Sequence, residues 1–387
     1  MNKMITRPAY LEVNLDNLKH NLNIIKNHVD KNSKIIAVVK ANAYGFGIQK
    51  ISQTLIEEGI DYFAVATMSE ALEIRRNNKE VRIMILGYNH KDLYKRAIEN
   101  KIELTIFNIL DAKNLNEVAK NLGKSADINL AFETGMNRIG FIKEDLELCI
   151  EEIKQLKNLN IVGAFSHFAA SDSDDNYTRL QYKKFIEMVN LCKEHKLEIP
   201  LKHINNSHGI INYREFDLDA VRPGIILYGS CEFLPHPNGF DLKYLGSIKS
   251  KIANLKTINP GEKVSYGLTF EAKRKTKVAT IPVGYADGFI RNLSGKIEVL
   301  INGKRCKQIG RICMDQMMID VTDASCKVDD QVVLLGKQDN EEITIEEIAE
   351  KAGEIATSYS CHFSNRLPRV YIKNGKIDEV YDELYLL

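Results

Sequence analysis

Residues 37–47, with the sequence AVVKANAYGFG, end an apolar run on one lysine and continue in small residues. The apolar run from Ile35 to Val39 is rich in β-branched types and too short for a buried helix, so it predicts a strand of a parallel sheet. Lys40 then lies at the carboxyl end of that strand. A desolvated lysine has a lowered pKa and can condense with an aldehyde, whereas the ordinary alternative is a solvated surface amine.

Further short apolar runs follow, separated by stretches of helical character. One of these stretches places Phe185, Met188, Val189 and Cys192 at helical spacing. Eight strand–helix units predict an α/β chain with a (β/α)₈ TIM-like barrel, whose chemistry lies at the carboxyl ends of the strands. The alternative is an open doubly wound sheet, which strand counting alone does not exclude. The eight runs lie at 35–39, 62–66, 82–86, 102–107, 127–132, 161–166, 201–205 and 219–222.

The pattern changes after about residue 240 to strands without long helices. We therefore predict a barrel domain at 1–240 and a mainly β domain at 241–387, with the boundary near Pro235–Gly239. The alternating segment 10–15 precedes a helix near 16–28 and does not fit the barrel count, which leaves pairing with the second domain as an option. Asn302-Gly303 predicts a two-residue hairpin. The strands of the second domain are expected at 277–283, 296–301, 304–310, 317–322 and 331–335.

Composition and charge restrict the classes of function. The chain has 387 residues, is 44% hydrophobic and 27% charged, and carries a net charge of +1. Dispersed charge of this kind predicts no nucleic-acid or membrane partner, and the amino terminus lacks a signal-peptide core, so we expect a cytoplasmic protein. The seven cysteines contain no C-x-x-C pair and the nine histidines no metal-binding spacing, so we predict neither disulfides nor a metal site.

The loops after the last two predicted barrel strands have small residues that suit the binding of an anion. In barrels, the loops after strands seven and eight often bind phosphate. Here those strands run into Asn206-Ser207-His208-Gly209 and Val221-Arg222-Pro223-Gly224-Ile225, each with a small residue that allows close backbone approach. Singly, Ser207 is as readily a helix cap and Gly224 a turn. Together with Lys40 in the same barrel, they favour a phosphate-bearing cofactor.

The stretch 37–47 and six later motifs resemble the alanine racemases. The resemblance implies pyridoxal 5′-phosphate (PLP) on Lys40, an amino-acid substrate, and a homodimer in which Tyr266 arrives from the β domain of the other subunit. It implies a role in D-amino-acid biosynthesis, which in a bacterium serves peptidoglycan. The later motifs are 134–140 (TGMNRIG), 166–169 (SHFA), 221–225 (VRPGI), 264–267 (VSYG), 284–288 (GYADG) and 310–316 (GRICMDQ).

Racemisation removes a Cα proton from one face and returns it to the other, so it requires two bases. The resemblance makes Lys40 and Tyr266 these bases, with His167 and Arg222 in the network that favours the phenolate, and with Arg222 facing the pyridine nitrogen. The alternatives are plain packing for Tyr266 and a salt bridge to Asp217 or Asp219 for Arg222. The resemblance also implies cofactor contacts by Tyr44, Asn206, Ser207, Gly224 and Ile225, substrate carboxylate contacts by Arg138 and the Met314 N–H, and an entrance passage with Tyr285, Arg291 and Arg311.

Three positions depart from the family pattern. Phe46 replaces the usual histidine, and Ala131 stands where many members have a carbamylated lysine that orients the substrate arginine. A bound chloride or Glu133 could take over that orienting role for Arg138. Counting back from the R-x-P-R segment places Thr357 where the family commonly has a substrate-pocket tyrosine, and this smaller side chain predicts tolerance of serine or lysine as substrates.

We therefore expect a racemase that interconverts L- and D-alanine, with a broader-specificity racemase acting on serine or lysine as the near alternative. A non-catalytic PLP-binding regulatory protein would not need a β domain carrying Tyr266 and the segment 313–316. A PLP-dependent decarboxylase would need a cysteine–acid pair in that domain, where this chain has the racemase-like run 311–316.

Overall fold

Eight parallel strands form a closed barrel in the computed structural model, which describes residues 5–232 and 240–383. After β1 (Tyr10–Asn14), the barrel strands are β2 (Lys34–Val38), β3 (Tyr62–Val65), β4 (Arg82–Ile85), β5 (Glu103–Ile106), β6 (Ala126–Ala131), β7 (Leu159–Phe165), β8 (Lys202–His203) and β9 (Ala220–Val221). β9 returns to pair with β2, with Lys34 opposite Ala220 and Ile35 opposite Val221. This closure confirms the predicted barrel and makes the open sheet wrong.

Helices follow the strands and cover the barrel. α8 buries Phe185, Met188 and Cys192, the stripe that its periodicity predicts, and the side chain of Asp174 caps its amino terminus. The helices are α1 (Leu15–His28), α2 (Lys40–Tyr44, a short left-handed segment), α3 (Ile48–Glu57), α4 (Met68–Asn77), α5 (Tyr94–Glu99), α6 (Ile109–Asn121), α7 (Lys143–Gln155), α8 (Asp175–Glu194), α9 (Ser207–Asn212), α10 (Ile345–Ala352) and α11 (Ala356–Ser360).

The second half of the chain builds a small two-stranded sheet, formed by residues 263–264 and 270–271, and one large sheet. Its hairpin at Asn302-Gly303 has both residues at positive φ and joins two antiparallel strands, as predicted. The sequence analysis found the five central strands but missed the first four and the last three. The strands are β10 (Gly246–Lys251), β11 (Asn254–Ile258), β12 (Lys263–Val264), β13 (Phe270–Glu271), β14 (Thr276–Ile281), β15 (Glu298–Ile301), β16 (Lys304–Ile309), β17 (Met317–Asp320), β18 (Gln331–Gln338), β19 (Glu341–Ile343), β20 (Arg369–Lys373) and β21 (Lys376–Tyr381).

The amino-terminal strand belongs to this second sheet. β1 runs antiparallel to β10, with Leu11 opposite Ile248, and parallel to β20, with Leu11 opposite Arg369. The two ends of the chain therefore meet in one sheet, and helix α1 leads from it to the barrel. The predicted boundary segment 235–239 lies outside the described residues. Within the described ranges, no helix is both long and apolar enough to cross a bilayer.

Candidate active site

Lys40 lies just beyond the end of β2, on the face where the barrel strands end. The N–H of Val39 still donates to Ala64 O of the neighbouring strand at 2.9 Å, so the sheet holds the backbone up to the lysine. Burial lowers the pKa of the Lys40 amine, and the positive charges of Arg138 and Arg222 lower it further. The surroundings therefore make the neutral, nucleophilic amine easier to reach than it is for a solvated lysine.

The residues after Lys40 form a left-handed turn. Ala41, Asn42, Ala43 and Tyr44 all have φ between 53° and 55°, a conformation that is unfavourable by about 1–2 kcal/mol per residue for L-amino acids. Glu70 at the start of α4 offsets part of this strain, because its carboxylate accepts the N–H of Ala41 at 2.6 Å and also the N–H groups of 66 and 67. The turn directs the Tyr44 side chain inward, where it is buried.

Two glycines end this turn for steric reasons. Gly45 has φ 89°, and a Cβ there would lie 2.6 Å from the backbone oxygen of Ser360. Gly47 has φ 98°, and its Cβ would meet the hydroxyl of Tyr371. The small residues that stood out in the sequence are therefore required by the backbone conformation and by the close approach of the carboxyl-terminal segments. Between these glycines, Phe46 is fully buried and stacks on Tyr228 with 5.5 Å between ring centroids.

Replacing Glu70 with alanine is expected to lower the free energy of unfolding by about 0.5–1.5 kcal/mol, because the N–H groups of residues 41, 66 and 67 lose their acceptor. The strained turn should also open locally, which amide hydrogen exchange at 41–44 would report as faster exchange. Glu117→Ala is the matched control, since Glu117 is exposed on α6. Equal exchange at 41–44 in both variants would contradict the role of Glu70.

Arg222 follows β9 and is almost fully buried. Its guanidinium donates to Nδ1 of His203 at 2.6 Å and to the backbone oxygen of Ser166 at 2.6 Å. The carboxylates of Asp217 and Asp219 are bonded elsewhere, to an asparagine amide and to a lysine respectively. The salt-bridge alternative is therefore wrong, and Arg222 is a buried cation held by neutral acceptors.

The groups around Arg222 respond to its charge. Burial and the charge of Arg222 hold the pKa values of both His167 and His203 well below the usual histidine range, so both imidazoles are neutral. Nδ1 of His167 lies 3.4 Å from the guanidinium. Burial also lowers the pKa of Arg222, to about 9, with Arg138 contributing. The barrel thus gathers Lys40, His167, Arg222 and Arg138 into one electrostatic environment.

Two hydroxyl groups converge near Gly224. The N–H of Gly224 donates to Oγ of Ser207 at 2.9 Å, and Ser207 is the first residue of α9, which Asn206 caps by accepting the N–H of Gly209. A Cβ on Gly224 would lie 2.6 Å from the hydroxyl of Tyr44 and 3.7 Å from the hydroxyl of Ser207. Glycine here lets the Tyr44 hydroxyl approach the backbone closely, so two hydroxyl groups lie beside Gly224, followed by buried Ile225.

The predicted residues of the β domain form a separate surface. Tyr266, Tyr285 and Met314 are 67%, 38% and 52% exposed and line one open depression together with Ile290, Arg291 and Ile312. Such exposure makes the packing alternative for Tyr266 wrong. A turn with positive φ at Ser265 and Gly267 presents Tyr266 outward, and Oγ of Ser265 donates to the backbone oxygen of Arg311 at 2.6 Å.

Comparison with known proteins identifies the family. The N-terminal domain family of alanine racemase matches residues 13–232, and the C-terminal domain family matches residues 245–371. The chain belongs to the alanine racemase family. It is 42% identical over 381 residues to alanine racemase 2 of Caldanaerobacter subterraneus subsp. tengcongensis, covering 98% of each chain. The structure of alanine racemase from Clostridium difficile 630 superposes with a TM-score of 0.92 at 37% identity, over 99% of this chain and 100% of that one.

A second solved structure, alanine racemase from Bacillus anthracis with bound L-Ala-P, superposes with a TM-score of 0.93 at 31% identity, over 99% of this chain and all of that one. The resemblance seen in the sequence is confirmed, and the chain is an isomerase. Alanine racemases depend on PLP. The residues in the barrel fit this cofactor: a desolvated amine for its aldehyde, the hydroxyl groups of Tyr44 and Ser207 beside Gly224 for its phosphate, and a buried cation without a carboxylate partner for its pyridine nitrogen.

Where many alanine racemases have a carbamylated lysine, this chain has an apolar residue. Ala131 is 2% exposed at the end of β6 and lines a small cavity with Arg138 and His167. Glu133 accepts the backbone N–H of Arg138 at 3.2 Å and that of Gly135. Glu133 therefore holds the backbone of the loop that carries Arg138, and the orientation of the Arg138 side chain by Glu133 or by a chloride stays a prediction.

Helix α11 carries the residue predicted to line the substrate pocket and one that the sequence analysis missed. The N–H of Thr357 donates to the Glu232 carboxylate at 3.2 Å. Cys361 lies one turn later, just after the helix. Burial raises the pKa of its thiol, and the positive charge of Lys40 offsets part of this rise. Sγ of Cys361 donates to Thr357 O at 3.4 Å, so the two residues lie on the same side of the helix end.

The lowered pKa of Lys40 predicts unusual amine reactivity in cofactor-free protein. The neutral fraction of an amine rises as its pKa falls, so Lys40 should acetylate with an apparent pKa below the ordinary lysine value of 10.5. Arg138→Ala removes a neighbouring positive charge and should raise that apparent pKa. Pulse acetylation between pH 6 and pH 11 (about the range in which lysines titrate), read by peptide mass spectrometry, measures both. An unchanged apparent pKa in Arg138→Ala would contradict the assignment.

Proposed function

We propose that the chain is a homodimeric racemase that interconverts L- and D-alanine, with Lys40 and the Tyr266 of a second copy as the two bases. The observation that supports this most is the lowered pKa of the Lys40 amine, which burial and the positive charges of Arg138 and Arg222 cause at the end of a barrel strand. A surface that presents Tyr266, Tyr285 and Met314 outward supports the second copy, because exposed apolar side chains clustered in one depression are typical of an interaction surface.

In this mechanism the residues act on three things: the cofactor, the substrate carboxylate and the proton on Cα. When bound, PLP supplies an aldehyde for the substrate amine and a conjugated ring that acidifies Cα. Lys40 removes or returns a proton on one face of Cα, and Tyr266 of the second copy does so on the other. Arg138 and the Met314 N–H hold the substrate carboxylate, while Tyr44, Asn206, Ser207, Gly224 and Ile225 hold the phosphate.

Arg222 limits the chemistry at the cofactor ring. An arginine retains its proton, so it would not protonate the pyridine nitrogen, and electron withdrawal into the ring stays moderate. We propose that this suppresses side reactions such as transamination. His167 is neutral and lies 3.4 Å from Arg222. Together, His167 and Arg222 would form the polar environment of the Tyr266 hydroxyl from the second copy. In a bacterium, the product D-alanine would enter peptidoglycan synthesis.

Incubation of the loaded enzyme with single L-amino acids tests the reaction and its substrate. We expect D-alanine from L-alanine without release of carbon dioxide; carbon dioxide release would instead indicate a decarboxylase. The half-buried Thr357 predicts D-serine formation first and D-lysine second. Thr357→Tyr should lower the serine-to-alanine ratio of kcat/KM by about tenfold, since it refills the pocket, with Thr357→Val as control. Negligible turnover of both serine and lysine would contradict this role of Thr357.

A further inference from the structure

Asp287 is a fully buried carboxylate in the loop that carries Tyr285. It ends the 3₁₀ turn Tyr285–Asp287 and accepts the N–H of Gly284 at 3.0 Å. A buried charge is destabilising unless it is paired and hydrogen-bonded, so its partners determine where this loop can lie.

The principal partner comes from the amino-terminal arm, before β1. The guanidinium of Arg7 donates to both carboxylate oxygens of Asp287, from Nη1 at 2.7 Å and from Nη2 at 3.2 Å. The same guanidinium donates to the backbone oxygen of Pro282 at 2.9 Å and to that of Arg366 at 3.2 Å. A bidentate pair with additional backbone acceptors fixes orientation as well as distance. Arg7 thus ties three segments that are far apart in the sequence.

The network continues into the segment that carries Met314. Nε of Arg366 lies 3.7 Å from the Asp287 carboxylate, and Nη2 of Arg366 donates to the Asp315 carboxylate at 2.7 Å. Backbone bonds join the same two loops: the N–H of Tyr285 donates to Cys313 O at 3.0 Å and that of residue 286 to Met314 O at 3.1 Å. A Cβ on Gly284 would lie 2.3 Å from both oxygens, so the loops touch without space between them.

We propose that Arg7 and Asp287 are positioning residues that act in trans: they hold Tyr285 and Met314 in place for the active site of the other subunit. The inference rests on the proposed shared site. Among the described residues, neither Arg7 nor Asp287 contacts the barrel residues of its own chain's site. Both support the loops that form the exposed depression around Tyr266. Loss of Arg7 should therefore raise KM for L-alanine by about tenfold, because a small displacement of substrate-binding groups is costly. Arg7→Lys should restore part of the loss.

Heterodimers, purified through two different affinity tags, separate action in trans from action within one chain. In the heterodimer of Arg7→Ala with Lys40→Ala, one complete site remains. It combines Lys40 of the Arg7→Ala chain with the Tyr266 surface of the Lys40→Ala chain, where Arg7 is present, so we expect the wild-type KM. In the heterodimer of Arg7→Ala with Tyr266→Phe, the one complete site combines Lys40 of the Tyr266→Phe chain with Tyr266 of the Arg7→Ala chain. That site lacks Arg7 behind its Tyr266 surface, so we expect the raised KM. Asp287→Asn should give the same pattern. Arg274→Ala, which breaks the exposed pair with Asp323 in the same domain, should leave KM unchanged.

The reversed pattern, with the raised KM in the Lys40→Ala heterodimer, would overturn the inference in favour of action within one chain. A raised KM in both heterodimers would overturn it in favour of a general structural role. The heterodimer of Lys40→Ala with Tyr266→Phe tells failure of the inference apart from failure of the shared site, because it is active only if the site is shared.

Discussion

Replacing Lys40 with alanine is expected to lower kcat/KM for alanine racemisation at least about 10³-fold, because the chain loses both its aldehyde-binding amine and one of its two bases. Reduction with borohydride should attach one pyridoxyl group to the peptide containing Lys40 in the native enzyme and none there in the variant. Lys34→Ala is the matched control, since Lys34 is an exposed lysine at the opposite end of the same strand. Comparable activity in the two variants would contradict the role of Lys40.

The same substitution should not weaken the fold. The pKa of Lys40 is lowered in the folded protein, so below its ordinary pKa the protonated amine opposes folding and its removal takes that penalty away. The unfolding temperature at pH 7 should therefore be unchanged or higher in Lys40→Ala. Loss of activity with a preserved unfolding temperature separates a chemical role from a structural one.

Replacing Tyr266 with phenylalanine is expected to lower kcat by about 10²–10⁴-fold in both directions, because one face of Cα loses its base. Tyr266 is 67% exposed, so its hydroxyl contributes little to folding within one chain. In D₂O the remaining base should still exchange the Cα proton of one enantiomer without inverting it, while the other enantiomer exchanges far more slowly. Proton NMR of L- and D-alanine measures the two rates.

The matched control for this variant is Tyr88→Phe, because Tyr88 is a similarly exposed tyrosine in the barrel domain, at 58%. It should retain the activity and the symmetric exchange of the native enzyme. Equal slowing of exchange for both enantiomers in Tyr266→Phe would contradict a mechanism with one base on each face.

Local patterns were sufficient to predict the barrel. Short β-branched runs bounded by polar residues mark its strands, and the run ending at Lys40 predicts a site at the strand ends, which meet on one face of a barrel. The hairpin at Asn302-Gly303 was equally readable, since only such residues adopt positive φ readily.

Other features depend on partners distant in the sequence. Glu70 supports the turn after Lys40 from another strand–helix unit, and the partner of Arg7 lies 280 positions away, at Asp287. The strands β20 and β21 are short and partly polar, and β1 contributes to their sheet from the other end of the chain. No local period carries such information. The assignments of Arg138, Met314 and Thr357 to the substrate stay predictions that came from the family resemblance.

A heterodimer of Lys40→Ala with Tyr266→Phe tests the shared site most directly. Each homodimeric variant should be nearly inactive, because every site lacks one base. The heterodimer contains one site with neither substitution and one with both, so it should recover about half of the native kcat with the native KM. A heterodimer as inactive as its two parents would show that Lys40 and Tyr266 of different subunits do not serve one substrate, and would contradict the proposed mechanism.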